Sequence, residues 1–252
     1  KSGQVIISEP QETIAEMPLE NKGTGMQRAF MLALLQVVAE TSTNGHSATI
    51  YGLDEPETWL HPRAQIQLSK ALSQLSANGR QILICSHSPY MLKNIDGTQD
   101  RVFIVERTQC THRITLEEQF RTGILPHISL NAINYFAFNL PTTEFLDELY
   151  GEFQESARGK NSSLSEKQII EELNQCGITK SKQWQRNTGN LTSYPVQICV
   201  YIRNYIHHPE NTCNDEYTET ELGDAIRDLI SAIKCAKKKL QSQSTSTTPP
   251  SS

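Results

Sequence analysis

The chain has 252 residues, 37% hydrophobic and 20% charged, and a formal net charge of −5, which is ordinary for globular protein and allows one large domain or two modest ones. The acidic balance holds in both halves, with 11 basic against 13 acidic side chains over 1–140 and 12 against 15 over 141–252, so composition excludes a broadly basic nucleic-acid-binding chain. No apolar run approaches the ~18 residues of a membrane span. The six cysteines show neither CxxC nor paired spacing, which excludes a disulfide framework or zinc site and fits a reducing cytoplasm. Cys85 and Cys199 sit in apolar runs and are expected as small core residues. With no initiating Met and no signal peptide, the chain is expected to be a piece of something longer.

In chain order, Gln4–Ile7 is a short β-like run, followed by an irregular acidic segment with Pro10 and Pro18. Gly23-Thr24-Gly25 reads as a turn feeding a helix from Met26 to Glu40, with Phe30, Leu34, Val37 and Val38 on one face. Such a turn is a natural phosphate seat, because unpaired N–H groups and the helix dipole both point there, although a lone Gly-x-Gly is weak evidence. After a polar loop, Ala48 to Leu53 is expected as a buried strand, ending on Asp54-Glu55-Pro56. Two unpaired charges are costly inside a sheet, so they belong at its carboxyl end, where α/β sheets bind ligands. There Asp54 suits Mg²⁺ held through its water shell, and Glu55 suits the orienting or deprotonation of an attacking water. Asp-Glu-Pro alone reads equally well as the cap of the next helix. Leu60-His61-Pro62 opens a helix over 63–75. Residues 81–85 form a second buried strand ending on Ser86-His87-Ser88-Pro89, where His87 can reach a phosphate oxygen. A short helix over 90–95, a strand over 101–105 and an edge strand over 113–117 follow.

Beyond residue 120 the pattern turns helical: 131–138, a capped segment from Thr143, 165–176 with Ser165 as cap, Tyr194 to His207, and 219–240 with Leu222, Ile226, Leu229, Ile230 and Ile233 on one face. A flexible linker is expected over 159–163 and a polar loop over 180–190. The Ser/Thr/Pro/Gln tail, 241–252, is expected to be disordered. Lys234, Lys237, Lys238 and Lys239 read as a solvated helix end favoured by the dipole.

Glycine turn, strand-Asp-Glu and strand-Ser-His, in that order, resemble the second half of an ABC-type ATPase core, and the turn and Pro-Glu-x-x-Leu-His-Pro resemble its RecF/SMC-like branch. The resemblance implies ATP and Mg²⁺. Asp54 would be the metal ligand, Glu55 the catalytic carboxylate and His87 the switch histidine. Gly23, Thr24, Gly25 and Gln27 would belong to a signature motif that closes over the nucleotide of an opposing protomer. No G-x-x-x-x-G-K-[ST] occurs, so the phosphate-cradling half is expected upstream or on another chain, and this chain alone is not expected to bind ATP in the usual way.

Arg203, Asn204 and His208, in Arg-Asn-Tyr-Ile-His-His-Pro-Glu-Asn, resemble the R-x4-6-H pattern of HEPN-type ribonucleases; a bland helix end fits the same residues. Asn134 to Asn139, Glu144 to Gly151 and Tyr201 to Thr212 are similar to the C-terminal domain of PtuA-type ATPases of Septu and retron-associated anti-phage systems. That resemblance implies an oligomeric ATPase regulating an HNH nuclease partner, with a reverse transcriptase and its RNA–DNA product in the retron version.

The expected architecture is therefore α/β: an ABC-type lobe with a mainly parallel sheet (1–125), a mostly α-helical partner-binding domain (126–240) and a disordered tail (241–252). The rival expectations are a HEPN-like ribonuclease using Arg203 and His208, and a RecF/OLD-like DNA-repair ATPase.

Overall fold

The computed structural model describes residues 6–7, 17–27, 30, 33–34, 37, 50–77, 80–96, 99–107, 112–116, 123–158, 163–186 and 192–245. The chain divides into two compact units, Lys1–Asp96 and Gly97–Ser252. The hairpin after residue 100 falls within the second unit.

In the first unit, β1 (Ile6–Ile7) pairs antiparallel with β2 (Met17–Pro18), and a 3-10 turn over Leu19–Asn21 leads to the glycines. A helix, α1, opens at Thr24; residues 24–27, 30, 33, 34 and 37 are helical among those described. Then β3 (Ile50–Asp54) lies parallel to β4 (Gln81–Cys85), with Asp54 opposite Cys85 on the last rung. The crossover between them is α2 (Pro62–Ala77), as a parallel pair requires. Pro62 suits the first helical position, where its missing N–H is not needed, and the His61 carbonyl accepts from the Ala64 and Gln65 amides. On α2, Leu68, Leu72 and Leu75 recur at helical spacing and pack with Met91 against Leu53, Leu60 and Ile82. The Ser69 hydroxyl donates to the Met91 carbonyl at 2.8 Å, tying α2 to the short helix α3 (Pro89–Leu92).

The two strands were expected to be buried; instead Ile50, Leu83 and Ile84 are exposed. A parallel strand is buried only when both faces are covered; the described residues place a helical layer on the Leu53 and Ile82 side, which leaves Ile50 and Leu83 uncovered on the other face, while Ile84, opposite Leu53, is exposed near the strand end. Cys85, expected in the core, is exposed on the terminal rung. Among the described residues this is the sole parallel pair; the other ladders are antiparallel. The expectation of a mainly parallel sheet therefore reduces to a short parallel pair within a mixed α/β chain.

The second unit begins with a hairpin, β5 (Phe103–Arg107) and β6 (His112–Leu116). The helices are α4 (Leu130–Phe138), α5 (Thr143–Ala157), α6 (Glu166–Gln175), α7 (Ile198–His207) and α8 (Glu219–Thr245). Ser129, Thr142 and Ser165 cap α4, α5 and α6, each accepting from an amide three residues on, and Ser165 with Gln168 completes a capping box. Phe145, Leu146, Leu149 and Phe153 of α5 meet Ala225, Ile226, Leu229, Ala232 and Ile233 of α8 in a fully buried core, with Val200 and Ile202 of α7 beside them. Small residues at 225 and 232 let α8 approach closely.

Three stretches differ from the sequence reading, the first being the helix expected from Tyr194, which starts at Ile198 because residues 194–196 are strand. The polar loop expected over 180–190 contains β7 (Lys182–Arg186), which pairs with β8 (Thr192–Val196) and puts Trp184 opposite Tyr194. Of the tail expected to be disordered from 241, residues 241–245 are helical as the end of α8, and 246–252 lie outside the described residues. No helix of the described residues is long and apolar enough to cross a membrane.

Cys199, on α7, is fully buried, and burial pushes its thiol up to about 12. A thiol so shifted is about a thousandfold poorer in thiolate near neutral pH than an ordinary one. Under native alkylation at pH 8, exposed Cys85 is expected to react while Cys199 stays unmodified until denaturant is added; peptide mass spectrometry reads both. Modification of Cys199 at the rate of Cys85 would refute its enclosure.

Candidate active site

The first unit gathers its polar chemistry where β3 and β4 both end. Asp54 is the last residue of β3, exposed and level with Cys85. The next amide, of Glu55, donates to the Cys85 carbonyl at 2.9 Å, extending the parallel ladder by one bond. Glu55 then turns into the left-handed region, with φ of 41°, an uncommon conformation for a residue with a side chain and a frequent one at functional turns. Its side chain is held at both oxygens. Oε2 accepts from the Thr58 hydroxyl at 3.1 Å, and Oε1 lies 3.4 Å from Nε2 of His87. The His87 side chain is 88% exposed, open to whatever approaches the strand ends. The carboxylate and the imidazole read from adjacent strands thus meet.

Glu57 and Gln65 complete the frame. Glu57 is buried, and its Oε1 accepts from the Ser86 hydroxyl at 2.5 Å and from the His87 amide at 3.3 Å. The Gln65 amide donates to the Leu60 carbonyl at 2.8 Å and its oxygen accepts from the Ser88 hydroxyl at 2.5 Å; that hydroxyl in turn accepts from Tyr90 N–H and caps α3. The sequence reading gave neither residue a role, Glu57 entering only as part of Pro-Glu-x-x-Leu-His-Pro. A useful signal was the density of polar residues, Glu57, Gln65, Ser86 and Ser88, around two strand ends that leave many backbone groups to be satisfied.

The glycine turn lies against the same loop. Trp59 has φ of 68° and is 74% exposed, and a Cβ placed on Gly25 would meet the Trp59 carbonyl oxygen at 3.1 Å. Glycine at 25 is therefore set by the close approach of residues 55–60. The Gly23 carbonyl accepts from the Met26 and Gln27 amides, so Gly23 is the cap of α1 and the amides of Thr24 and Gly25 fall among those a helix start leaves unpaired. Gln27, expected to face nucleotide, sends its side-chain amide back to the carbonyls of Glu20 and Lys22 at 3.1 and 2.9 Å, bracing the turn from behind.

Residues 3–92 match the AAA ATPase domain. The match takes in the glycine turn, Asp54, Glu55 and the Ser86–His87 turn, and it fits an ATPase that uses ATP with Mg²⁺. The chain is also 37% identical over 97 residues to the Old nuclease of Escherichia phage P2. That alignment covers 36% of this chain and 17% of the relative, so the likeness is one of a shared segment. Asp54 with Glu55 suits Mg²⁺, which takes one or two carboxylates and completes its shell with waters and phosphate oxygens. Among the described residues no group of three or more His, Cys, Asp or Glu side chains stands ready to hold a metal by itself.

In the second unit, Arg203, Asn204 and His208 take three different partners. The Arg203 guanidinium lies over the Tyr150 ring, 4.5 Å from its centroid; burial pushes the Tyr150 phenol up, against the opposing pull of Arg203. Asn204 is buried and donates to Glu166 at 3.2 Å, which also accepts from the Tyr194 hydroxyl at 2.6 Å. His208 stands exposed beside Glu210 at 3.2 Å, while its neighbour His207 pairs with Asp147 of α5 at 3.0 Å. The helical repeat separates what the sequence spacing placed in one pattern: Arg203 and Asn204 tie α7 to α5 and α6, and the His208 side chain, among the described residues, meets only the turn that follows α7.

Proposed function

We propose that this chain carries the hydrolytic edge of an ATPase that regulates an associated nuclease in an anti-phage defence complex of the Septu or retron type. The observation that supports it best is the meeting of Glu55 and His87, 3.4 Å apart, at the carboxyl ends of two parallel strands. In this reading Asp54 would hold Mg²⁺ through water, and the ion would supply charge neutralisation toward the phosphates. Glu55 orients the attacking water and accepts its proton, and Thr58 keeps the carboxylate turned toward the site. His87 donates a hydrogen bond to a γ-phosphate oxygen. The free amides of Thr24 and Gly25 and the Thr24 hydroxyl meet the γ-phosphate of nucleotide held by an opposing protomer, which makes self-association part of the function. The HNH nuclease, and in a retron setting a reverse transcriptase with its RNA–DNA product, would dock on the helical unit.

A second reading, an ATPase of OLD type acting on DNA, draws support from the matched segment of a phage nuclease. One preparation separates the two. The complex is purified from its native host, its subunits are identified by native mass spectrometry, and phosphate release is measured with ATP and Mg²⁺. Turnover together with a co-purifying HNH subunit is the expected result. Turnover without that subunit, but with ATP-dependent retention of DNA, would favour the second reading. Absence of turnover in the intact complex would overturn both.

A further inference from the structure

Glu57 is the outlier of the first unit. It is 5% exposed, yet one of its oxygens, Oε2, is buried with no hydrogen-bond partner among the described residues. A buried carboxylate is costly unless donors surround it, and an oxygen left without one adds to that cost. Stability alone therefore does not account for an acid here. Its satisfied oxygen, Oε1, takes the Ser86 hydroxyl at 2.5 Å and the His87 amide at 3.3 Å. Ser86 Oγ in turn accepts from the Ser88 amide at 3.0 Å, so one carboxylate oxygen organises the whole turn after β4.

His87 is thereby gripped from one loop at two points. Glu55 faces its ring at 3.4 Å and Glu57 accepts from its backbone at 3.3 Å. The loop is itself closed by Thr58 N–H to the Glu55 carbonyl at 3.1 Å and Leu60 N–H to the Glu57 carbonyl at 2.9 Å, and its Trp59 carbonyl abuts Gly25.

We propose that Glu57 is a positioning residue that holds the Ser86–His87 turn to the loop carrying Glu55, so that the imidazole, the carboxylate and the glycine turn move as one body. The consequence for catalysis rests on the ATPase reading above; the mechanical link does not. Because the link ties His87 to a loop that also touches the glycine turn, displacement of that turn is transmitted to the His87 backbone through the buried Glu57 carboxylate.

Two readouts on the native protein test it, amide hydrogen exchange at residues 86–88 and steady-state ATP hydrolysis, applied to Glu57→Ala, Glu57→Gln and Ser86→Ala. Glu57→Ala is expected to speed exchange of the His87 amide about fivefold, the factor for one lost hydrogen bond. It should also lower kcat on the order of tenfold or more, with KM for ATP unchanged, since misplacement of a catalytic group weakens the reacting geometry rather than binding. Glu57→Gln keeps an acceptor at the same place and should restore both. Should Glu57→Ala fail to fold, Ser86→Ala removes the half-buried hydroxyl that joins Glu57 to the Ser88 amide, and the comparison is then read at the Ser88 amide. Unchanged exchange at the His87 amide in Glu57→Ala or at the Ser88 amide in Ser86→Ala, or a raised KM at constant kcat, would overturn the proposal. Faster exchange in a protein whose unmodified form hydrolyses no ATP would instead sink the ATPase reading and leave the positioning role standing.

Discussion

Glu55→Gln is expected to leave nucleotide bound and to cut ATP turnover by on the order of 10²–10³-fold, within the range for loss of a general base or water-orienting carboxylate. The substitution is nearly isosteric, and its carbonyl oxygen can still accept from Thr58, so the loop from Glu55 to Leu60 should keep its hydrogen bonds and its left-handed turn. What disappears is the negative charge beside His87 and the capacity to take a proton from water. Binding energy toward ATP comes chiefly from groups that cradle the phosphates. The affinity measured by filter binding or fluorescent nucleotide should therefore hold within a few-fold while phosphate release collapses, and an ATP-dependent assembly should outlive its normal lifetime. Unchanged hydrolysis would remove Glu55 from the mechanism and shift attention to Asp54 and His87. Thr58→Val supplies the companion test: it frees Oε2 of Glu55 without removing the carboxylate, and a kcat loss smaller than that of Glu55→Gln is the expected order.

The strand ends were legible because their chemistry conflicts with their surroundings. An apolar run that stops on Asp54-Glu55, and another that stops on Ser86-His87, can each be placed on the correct edge of a parallel pair by the cost of burying charge. Partners across the loop were not legible. Nothing in the string says that Glu57 rather than Glu55 turns inward, because that depends on the left-handed backbone at Glu55 and Trp59, and both residues carry side chains that ordinarily avoid it. The hairpin over β7 and β8 escaped for a different reason. Lys-Gln-Trp-Gln-Arg is polar at four of five positions, and its strand character rests on alternation around Trp184, the one residue of β7 that is buried. In α8 the helix outlasts its apolar face, since the Ser/Thr/Gln run after Leu240 contains no Gly or Pro before Pro249 and an existing helix propagates at little cost per residue. Spacing on α7 also misled: Arg203 with His207, and Asn204 with His208, do share faces, but one face meets α5 and the other meets α6 only at Asn204.

Phe145→Ala is expected to destabilise the helical unit by roughly 3–5 kcal/mol, the range for removing a fully buried aromatic ring from a core. Phe145 is 0% exposed and its ring joins Tyr135, at a centroid distance of 5.2 Å, and Phe136, at 5.8 Å and near-perpendicular. These pairs are among the contacts that fasten α4 to α5, so the truncation loses area, leaves a cavity and breaks two ring contacts together. Thr142→Ala probes the same helix start without touching the core. Its hydroxyl accepts from the Phe145 amide at 3.2 Å, and loss of such a cap costs about 1 kcal/mol. Leu140→Ala, at a site 49% exposed, should stay within about 0.5 kcal/mol. Urea unfolding followed by far-UV circular dichroism ranks the three. Since a domain of this kind is stable by only about 5–15 kcal/mol, the Phe145 variant should unfold well before the wild type and expose α4 to proteolysis first. A Phe145→Ala cost no larger than that of Thr142→Ala would mean that the ring is not enclosed as described, and that α4 is held by its Ser129 cap and the Glu148 contacts to Ser129 and Asn131 instead.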